Sequence, residues 1–165
     1  MIRLAHAHEL PRLAAIEDAA EERFAGTHMA FVRDLPHPAP VSSIPPHVKV
    51  WVSVDADDLA QGFLEAEPVG GWLHILEVSV HPAAQRQGRA RALVETALAD
   101  ARAQNLAMVS LTTDRELPFN APMYARMGFS ALSAAQTPTW LAAMLARQAD
   151  HGFDPAMRIA MARRP

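Results

Sequence analysis

The sequence predicts a mixed α/β fold in which a mostly antiparallel sheet, with one central parallel strand pair, is flanked by helices. The first observation is a series of three strand-like runs, at residues 48–54, 60–67 and 72–80, joined by short turn-forming segments. Such a series is typical of an antiparallel meander. The second observation is that a loop, a helix at residues 88–104 and a strand at residues 107–113 follow the third run. A strand–helix–strand crossover of this kind makes its two strands parallel.

The N-terminal segment is predicted to form a short strand, residues 2–5, and then a helix from about His8 to Phe24. Pro11 suits the first turn of that helix, where a missing N–H leaves no hydrogen bond unmade. The apolar residues that recur near helical spacing and predict its buried face are Leu10, Leu13, Ala14, Ile16, Ala20 and Phe24. The acidic residues on its other side are Glu17, Asp18, Glu21 and Glu22. We interpret them as a solvated helix face, and the alternative is a rim that attracts a cationic amine.

A proline-rich segment separates this helix from the meander. Residues 34–47 contain five prolines, which exclude regular secondary structure. A long irregular segment inside a compact domain is often a functional loop. We predict a lid over the substrate, and a plain surface loop is the alternative.

The C-terminal part continues the alternation of helices and strands. The helix at residues 88–104 should bury a face made of five residues: Leu93, Val94, Ala97, Leu98 and Ala101. A short helix at residues 121–127 ends at Gly128, and Phe129 begins another strand. Thr137 and Pro138 suit the N-cap and first position of a further helix that runs to about Asp150, with Gly152 as its stop. A final strand is predicted at residues 158–162.

Length and composition indicate one domain over residues 1–165, since 50% of the residues are apolar and 20% are charged. The net charge of −3 argues against a dedicated nucleic-acid binder, which carries a basic surface. The chain has no cysteine, so disulfides, cysteine zinc ligands and a cysteine nucleophile are excluded. Neither a signal core nor a run of about 20 apolar residues occurs. The expected localisation is therefore the cytoplasm, without a membrane partner.

The segment at residues 78–93 is the most informative stretch of the chain. It reads as a strand, a tight loop with Gly88 and the first turn of a helix, with Arg86, Arg89 and Arg91 in the same turn. The first N–H groups of a helix have no partner within it, and the helix dipole adds positive potential there. A phosphate or pyrophosphate fits such an end. The alternative is an ordinary strand-to-helix turn with solvated arginines.

A second motif lies one helix and one strand further along the chain. Asn120 is followed four residues later by Tyr124, and Gly128-Phe129 comes next. The spacing of four places Asn120 and Tyr124 on one helix face, which favours a shared ligand. Each residue also has a structural interpretation: Asn120 as a helix cap, Tyr124 as a core aromatic and Gly128 as a C-cap.

Together these motifs resemble the GNAT superfamily of N-acetyltransferases. Gln85-x-x-Gly88-x-Ala90 matches the loop that holds the acetyl-CoA pyrophosphate in that family, and Val80-His81-Pro82 precedes it as expected. The second motif matches in type, order and separation. The resemblance covers residues 48–130 strongly and the ends by element order. It is sharpest with a bacterial subgroup of unassigned substrate, and it implies that the central parallel strands are splayed around the cofactor site.

The resemblance further implies that acetyl-CoA is the acyl donor and that no metal is needed. Backbone N–H groups of Val78 and Val80 would meet the pantetheine and the acetyl oxygen, and Tyr124 would protonate the departing thiolate as general acid. The residues expected to bind the cofactor are Val78, Ser79, Val80, Gln85, Arg86, Gln87, Gly88, Arg89, Ala90, Arg91, Asn120 and Tyr124.

The candidate general base is Glu77, which interrupts a mostly apolar strand just before Val78. A salt bridge or a strand-end carboxylate is the structural alternative for Glu77. His74 would point to the opposite face of the strand and is a weaker candidate. Loop histidines could also serve if their loops fold over the site: His28, His37 and His47.

The predicted function is transfer of an acetyl group from acetyl-CoA to a primary amine of a small molecule or peptide, by direct attack in a ternary complex. The alternatives are a non-catalytic acyl-CoA-binding regulatory module and a transferase of another acyl group. A metal site at His6, His8 and Glu9 is disfavoured because the other histidines are scattered. A homodimer that uses Trp140, Met144 and the final strand is one option, and burial of these residues in the core is the other.

Overall fold

The computed structural model describes residues 1–35 and 43–165. Residues 36–42 of the predicted lid, including His37, lie outside the described residues. The strands are β1 Ile2–Leu4, β2 Lys49–Val54, β3 Ala60–Val69, β4 Trp72–Val80, β5 Val109–Asp114, β6 Ser130–Ala131 and β7 Arg158–Arg163. The helices are α1 Leu10–Glu21, α2 Arg89–Ala103, α3 Ala121–Ala125 and α4 Thr139–Asp150.

The strands form a seven-stranded mixed sheet in the order β1-β2-β3-β4-β5-β7-β6. Antiparallel pairs join β1 to β2, β2 to β3, β5 to β7 and β6 to β7. Strands β4 and β5 are parallel, with Leu73 opposite Val109 and His74 opposite Ser110. The predicted mixed α/β sheet with a central parallel pair is thus confirmed.

The chain divides into two compact units, and each is described by itself. Unit 1 comprises Met1–Glu67 and Leu76–Ala97, and unit 2 comprises Pro68–Ile75 and Leu98–Pro165. In unit 1, α1 packs on the inner face of β2 and β3. The buried residues of this cluster are Leu13, Ile16, Val48, Val50, Val52, Val54, Ala60 and Phe63. The predicted apolar face of α1 is confirmed at Leu13, Ile16 and Ala20, whereas Ala14 is exposed.

Unit 2 has β5 at its centre, paired with β7 along its whole length from Val109 to Asp114. Buried aliphatic residues come from β5, from the end of α2 and from α4, and they include Leu98, Leu111 and Leu141. All five residues of the predicted buried face of α2, a helix that contributes residues to both units, are buried: Leu93, Val94, Ala97, Leu98 and Ala101. The helical period read from the sequence therefore predicted this face correctly.

The start of α4 differs from the sequence prediction. Pro138 is the N-cap residue rather than the first helical residue, and a 3-10 turn at Ala134–Gln136 precedes it. Thr137 lies one residue before the N-cap, and its hydroxyl donates to the carbonyl oxygen of Ser133 (2.8 Å), inside that earlier turn. The predicted end is correct, since Gly152 follows α4 with a φ of +95°.

In the part of the chain that the structure describes, no helix combines the length and apolar character that crossing a bilayer would require.

Candidate active site

The loop between β4 and α2 has the open geometry that its glycine predicts. Arg86 and Gly88 adopt positive φ values of +61° and +76°, a region that glycine occupies at little cost. A Cβ built on Gly88 would meet no heavy atom within 4 Å. The first helical bond of α2 runs from the N–H of Ala92 to the carbonyl oxygen of Gly88. The N–H groups of the first turn of a helix have no acceptor within that helix, so this end of α2 presents backbone donors beside open space.

Two hydrogen bonds shape the entry to this loop. The side-chain amide of Gln85 donates to the carbonyl oxygen of Val80 at 3.0 Å and so folds the chain back on the end of β4. The ring of His81 accepts from the N–H of Ala83 at 3.3 Å and caps a single 3-10 turn at Pro82–Ala84. The side chains of the motif residues Gln85 and His81 therefore stabilise the conformation of the loop that contains them.

The three arginines of the loop differ in their surroundings. Arg86 and Arg91 are exposed, whereas Arg89 is half-buried. Nη1 of Arg89 donates to the hydroxyl of Ser53 at 2.9 Å and to the carbonyl oxygen of Val54 at 3.2 Å, both at the end of β2. The Arg89 side chain is thus engaged with β2, whereas those of Arg86 and Arg91 lie at the surface.

The second half of β4 carries the candidate base and the predicted backbone donors. Val78, Ser79 and Val80 are buried, and Glu77 is half-buried. The Ser79 hydroxyl donates to Oε1 of Glu77 at 2.7 Å, which fixes the orientation of the carboxylate. A Cβ on Gly62 of β3 would lie 2.9 Å from the carbonyl oxygen of Ser79, so a glycine is required where β3 passes this segment.

Glu77 is part of a group of three carboxylates in unit 1. Glu17 comes from α1, Glu65 from β3 and Glu77 from β4, and all three are half-buried. Burial raises the pKa of Glu17 from 4.5 to about 8, and the charges of Glu77, Glu21 and Glu65 add to the effect. Burial, followed by the charges of Glu77 and Glu67, also raises the pKa of Glu65. This carboxylate group, defined as Glu17, Glu65 and Glu77, makes a locally negative region that favours a cation.

The second predicted motif lies in unit 2, where α3 begins. Asn120 occupies the N-cap position, but its side chain makes no capping hydrogen bond. Its Oδ1 is buried and has no hydrogen-bond partner among the described residues. The interpretation of Asn120 as a side-chain cap is therefore wrong, because only its backbone carbonyl serves the helix, accepting from Met123 and Tyr124.

Tyr124 is buried on α3 and its ring packs edge-on against Phe129, with 5.9 Å between the ring centroids. Gly128 ends the short helical segment with a φ of +86°, as its C-cap interpretation predicts. Asn120 and Tyr124 are brought together on one short helix, which agrees with their spacing of four residues.

The histidines divide into structural and peripheral ones. His74 is buried, its Nδ1 lies 3.0 Å from the Ser110 hydroxyl, and its ring meets Trp140 edge-on. Burial, and next the charge of Arg158, lowers the pKa of His74 to about 4, so it stays neutral at pH 7. An imidazole of low pKa is a weak base, so His74 stays the weaker candidate. His28 is exposed, and Nε2 of His47 lies 3.6 Å from Glu67.

At the disfavoured metal site near the N-terminus, the carboxylate of Glu9 is engaged in hydrogen bonds with protein groups. Glu9 accepts two hydrogen bonds from the guanidinium of Arg3 and one from the backbone N–H of His6. His6 and His8 stack on each other, with 5.4 Å between ring centroids. Among residues 1–35 and 43–165, no group of three or more potential ligands is placed to hold a metal ion.

Three features of the site escaped the sequence analysis. Glu65 was not singled out, although it is a charge in an apolar strand and the same argument that selected Glu77 applies to it. Glu17 was interpreted as part of a solvated face, and nothing in the local pattern separates it from Asp18 or Glu21. The contact between Arg89 and Ser53 joins residues that are 36 positions apart and has no sequence signal.

Comparison with known proteins supports the class of protein that the loop and fold define. A profile of the "Acetyltransferase (GNAT) family" matches residues 12–129. The chain therefore belongs to the GNAT family and is an acetyl-CoA-dependent acyltransferase.

Solved structures show the same fold over the whole chain. The PaiA N-acetyltransferase of Thermoplasma acidophilum, in complex with coenzyme A, is 13% identical with a TM-score of 0.70, covering 100% of this chain and 98% of that one. The ribosomal-protein-S18-alanine N-acetyltransferase of Escherichia coli is 19% identical with a TM-score of 0.63, covering 98% and 91%. An aminoglycoside 6'-acetyltransferase type Ii is 15% identical with a TM-score of 0.65, covering 99% and 96%.

Proposed function

We propose that this protein is an N-acetyltransferase that transfers the acetyl group of acetyl-CoA to a primary amine of a small molecule or peptide, by direct attack in a ternary complex. The observation that carries the proposal is the open turn at Gly88. It lies between the end of β4 and the first residue of α2, and no heavy atom approaches its Cβ position within 4 Å. The backbone donors and the dipole of a helix N-terminus beside such a space suit a pyrophosphate.

Two sets of residues would hold the donor. In unit 1, the backbone N–H groups from Arg86 to Arg91 would bind the pyrophosphate, and those of Val78 and Val80 would bind the pantetheine and the acetyl oxygen. In unit 2, the buried Oδ1 of Asn120 has no partner among the described residues. A buried acceptor without a donor is costly. A hydroxyl or amide donor of acetyl-CoA that reached Oδ1 would remove that cost, which supports a ligand role for Asn120.

The acceptor amine must lose a proton before it can attack. An alkylamine with a pKa near 10.4 is almost wholly protonated at pH 7, so a base is needed. We assign this role to Glu77, which would take the proton directly or through one water molecule. The carboxylate group of Glu17, Glu65 and Glu77 supports an acceptor that arrives as an ammonium ion, since a positive charge would relieve the repulsion among the three. His28 and His47 remain the alternative bases.

The leaving thiolate would be protonated by Tyr124. Attack of the neutral amine on the thioester carbonyl forms the new C–N bond, and collapse of the adduct breaks the C–S bond. A phenol of pKa near 10 is a suitable donor to a thiolate whose conjugate acid has a pKa near 8.5. Backbone donors from Val78 and Val80 would stabilise the oxyanion that develops on the carbonyl oxygen.

Calorimetric titration with acetyl-CoA, with free CoA alongside, tests the donor. A panel of amines, with thiol release as the readout, then tests the acceptor. The panel should contain a small diamine, an aminoglycoside and a peptide with N-terminal alanine. The last two are chosen because the names of two structural neighbours mention an aminoglycoside and a ribosomal-protein alanine. Thiol release with any of them supports the enzyme. Binding without release by any amine supports the non-catalytic module instead, and faster release from propionyl-CoA or succinyl-CoA supports another acyl group. A folded protein that binds no acetyl-CoA contradicts the proposal.

A further inference from the structure

Arg89 connects the loop that precedes α2 to the end of β2. Its Nη1 donates to the hydroxyl of Ser53 and to the carbonyl oxygen of Val54. Its Nε lies 3.4 Å from the side-chain oxygen of Gln87, inside the loop itself. Ser53 is 3% exposed, so its hydroxyl depends on a protein partner rather than on water. The guanidinium therefore links three backbone segments at one point.

The end of β2 is itself firmly held. Asp55 accepts from the N–H groups of Asp57 and Leu59, and its second oxygen accepts from the side-chain amide of Gln61 at 2.6 Å. These hydrogen bonds, the one from Leu59 first, lower the pKa of Asp55, and the charge of Arg89 lowers it further. The turn between β2 and β3 is thus a rigid support with a negative charge near Arg89.

The same hairpin holds the other end of the loop. The N–H of His81 donates to the carbonyl oxygen of Gln61 at 2.9 Å, directly after β4 ends. The segment from His81 to Arg89 is therefore fastened to β2 and β3 at both ends. Between those two points, Arg86 and Gly88 hold positive φ values of +61° and +76°. Arg86, which is not a glycine, adopts this backbone region only at a cost, so anchoring at both ends stabilises the strained loop.

We propose that Arg89 is a positioning residue, which fastens the first turn of α2 to Ser53 and Val54. It thereby holds the donor loop, defined as residues 81–89, in its binding conformation. This inference rests on the proposed function, in which that loop binds the phosphates of acetyl-CoA. A loop that is ordered before binding loses less conformational freedom when the ligand arrives. Arg89 would therefore govern donor affinity through the geometry of the loop, while Arg86 and Arg91 supply exposed charge.

Two variants distinguish a positioning role of Arg89 from direct contact between its guanidinium and a phosphate. Arg89→Met keeps the aliphatic stem and removes the guanidinium, and Ser53→Ala removes its partner. We expect Arg89→Met to weaken acetyl-CoA binding about tenfold and Ser53→Ala to weaken it about threefold, as for the loss of hydrogen bonds to a charged group. The double variant should be no weaker than Arg89→Met alone, because both changes act on one contact. Arg102→Met, an exposed arginine on the same helix, should bind normally.

Direct phosphate contact would give the opposite pattern. Ser53→Ala would then leave the affinity unchanged, and Arg89→Met would reduce the salt dependence of binding, because a charge that faces the ligand would be lost. Either result overturns the proposal. Positioning instead predicts the same salt dependence as in the unchanged protein at a lower affinity.

A readout without ligand makes the proposal independent of the donor assignment. Amide hydrogen exchange of the segment at residues 85–91 should be several-fold faster in both Arg89→Met and Ser53→Ala than in the unchanged protein, while exchange in β5 stays the same. Equal exchange in the segment overturns the positioning role. If the unchanged protein fails to bind acetyl-CoA, the proposed function fails, and the exchange result still decides whether Arg89 orders the loop. Ser53→Ala removes one oxygen atom and serves as the test if Arg89→Met does not fold.

Discussion

Glu77 on β4 acts electrostatically on Glu17 on α1 within unit 1. Burial raises the pKa of Glu17 from 4.5 to about 8, and the charge of Glu77 is the next largest cause. The two carboxylates therefore share a cost when both are ionised, and this cost is relieved by a proton or by a cation. The interaction between Glu17 and Glu77 therefore bears on both the stability of the fold and the chemistry of the site.

The stability of the protein should fall as pH rises from about 4.5 to about 8 because of Glu17. In that range the folded state binds a proton that the unfolded state has lost, so raising the pH favours unfolding. Glu17→Gln should remove this contribution and raise Tm at pH 8 by about 2–4 °C, the shift that ~1 kcal/mol produces in a chain of this size. Thermal melts at pH 5 and pH 8 measure the effect. Glu116→Gln, an exposed carboxylate in unit 2, is the control, and an equal gain in that variant would contradict the assignment to Glu17.

Glu77→Gln should lower kcat/KM for the amine by about 10² or more, the effect of losing a general base. Acetyl-CoA affinity should change little, because the proposed role concerns the acceptor. The rate should recover partly at high pH, where more of the amine is neutral without help. The measurement is thiol release as a function of pH for both proteins. Wild-type kcat/KM in the variant would transfer the base role to Glu17 or to a loop histidine.

Tyr124→Phe should slow turnover about tenfold or more and leave acetyl-CoA binding within about twofold. The ring that packs against Phe129 is kept, so the fold should be retained. Steady-state kinetics and calorimetry on the same preparation give the two numbers. A kcat equal to that of the unchanged protein rules out the acid role.

Asn120→Ala should weaken acetyl-CoA binding without destabilising the free protein. A side-chain cap removed from a helix costs about 1 kcal/mol, but the Asn120 side chain makes no capping bond. Its Oδ1 has no hydrogen-bond partner among the described residues, and we propose that acetyl-CoA supplies the donor. Tm is measured with and without acetyl-CoA. A loss of Tm in the free protein together with unchanged ligand stabilisation would show that Asn120 serves the fold alone.

Gly88→Glu should abolish acetyl-CoA binding, because it places bulk and negative charge at the open turn that we assign to the pyrophosphate. The backbone strain alone is measured by Gly71→Glu, since Gly71 also has a positive φ, +79°, with no heavy atom within 4 Å of its Cβ position. Both variants should lose similar stability, and only Gly88→Glu should lose binding. Normal binding by Gly88→Glu would refute the assignment of the loop.

Local patterns were sufficient for the elements of this fold. The strands of the meander, the crossover helix and its buried face, and the stop at Gly152 were predicted from alternation, helical spacing and turn residues. Local chemistry was less reliable at one helix start, where Thr137 bonds to Ser133 and leaves Pro138 as the N-cap residue. Thr137 lies between a 3-10 turn and α4, and the three-dimensional arrangement of the two determines which of them its hydroxyl bonds to.

The sequence by itself determined the sheet elements, the strand–loop–helix motif around Gly88 and the spacing of Asn120 and Tyr124, because each depends on neighbours within a few residues. Only the tertiary structure decided that Glu17 and Glu65 join Glu77, that Arg89 bonds to Ser53, and that Oδ1 of Asn120 has no partner within residues 1–35 and 43–165. Burial and the distance between charges arise from the packing of segments that are far apart in the chain. The spacing of residues in the sequence does not predict such distances. Burial and these distances determine the pKa of Glu17 and the conformation of the donor loop.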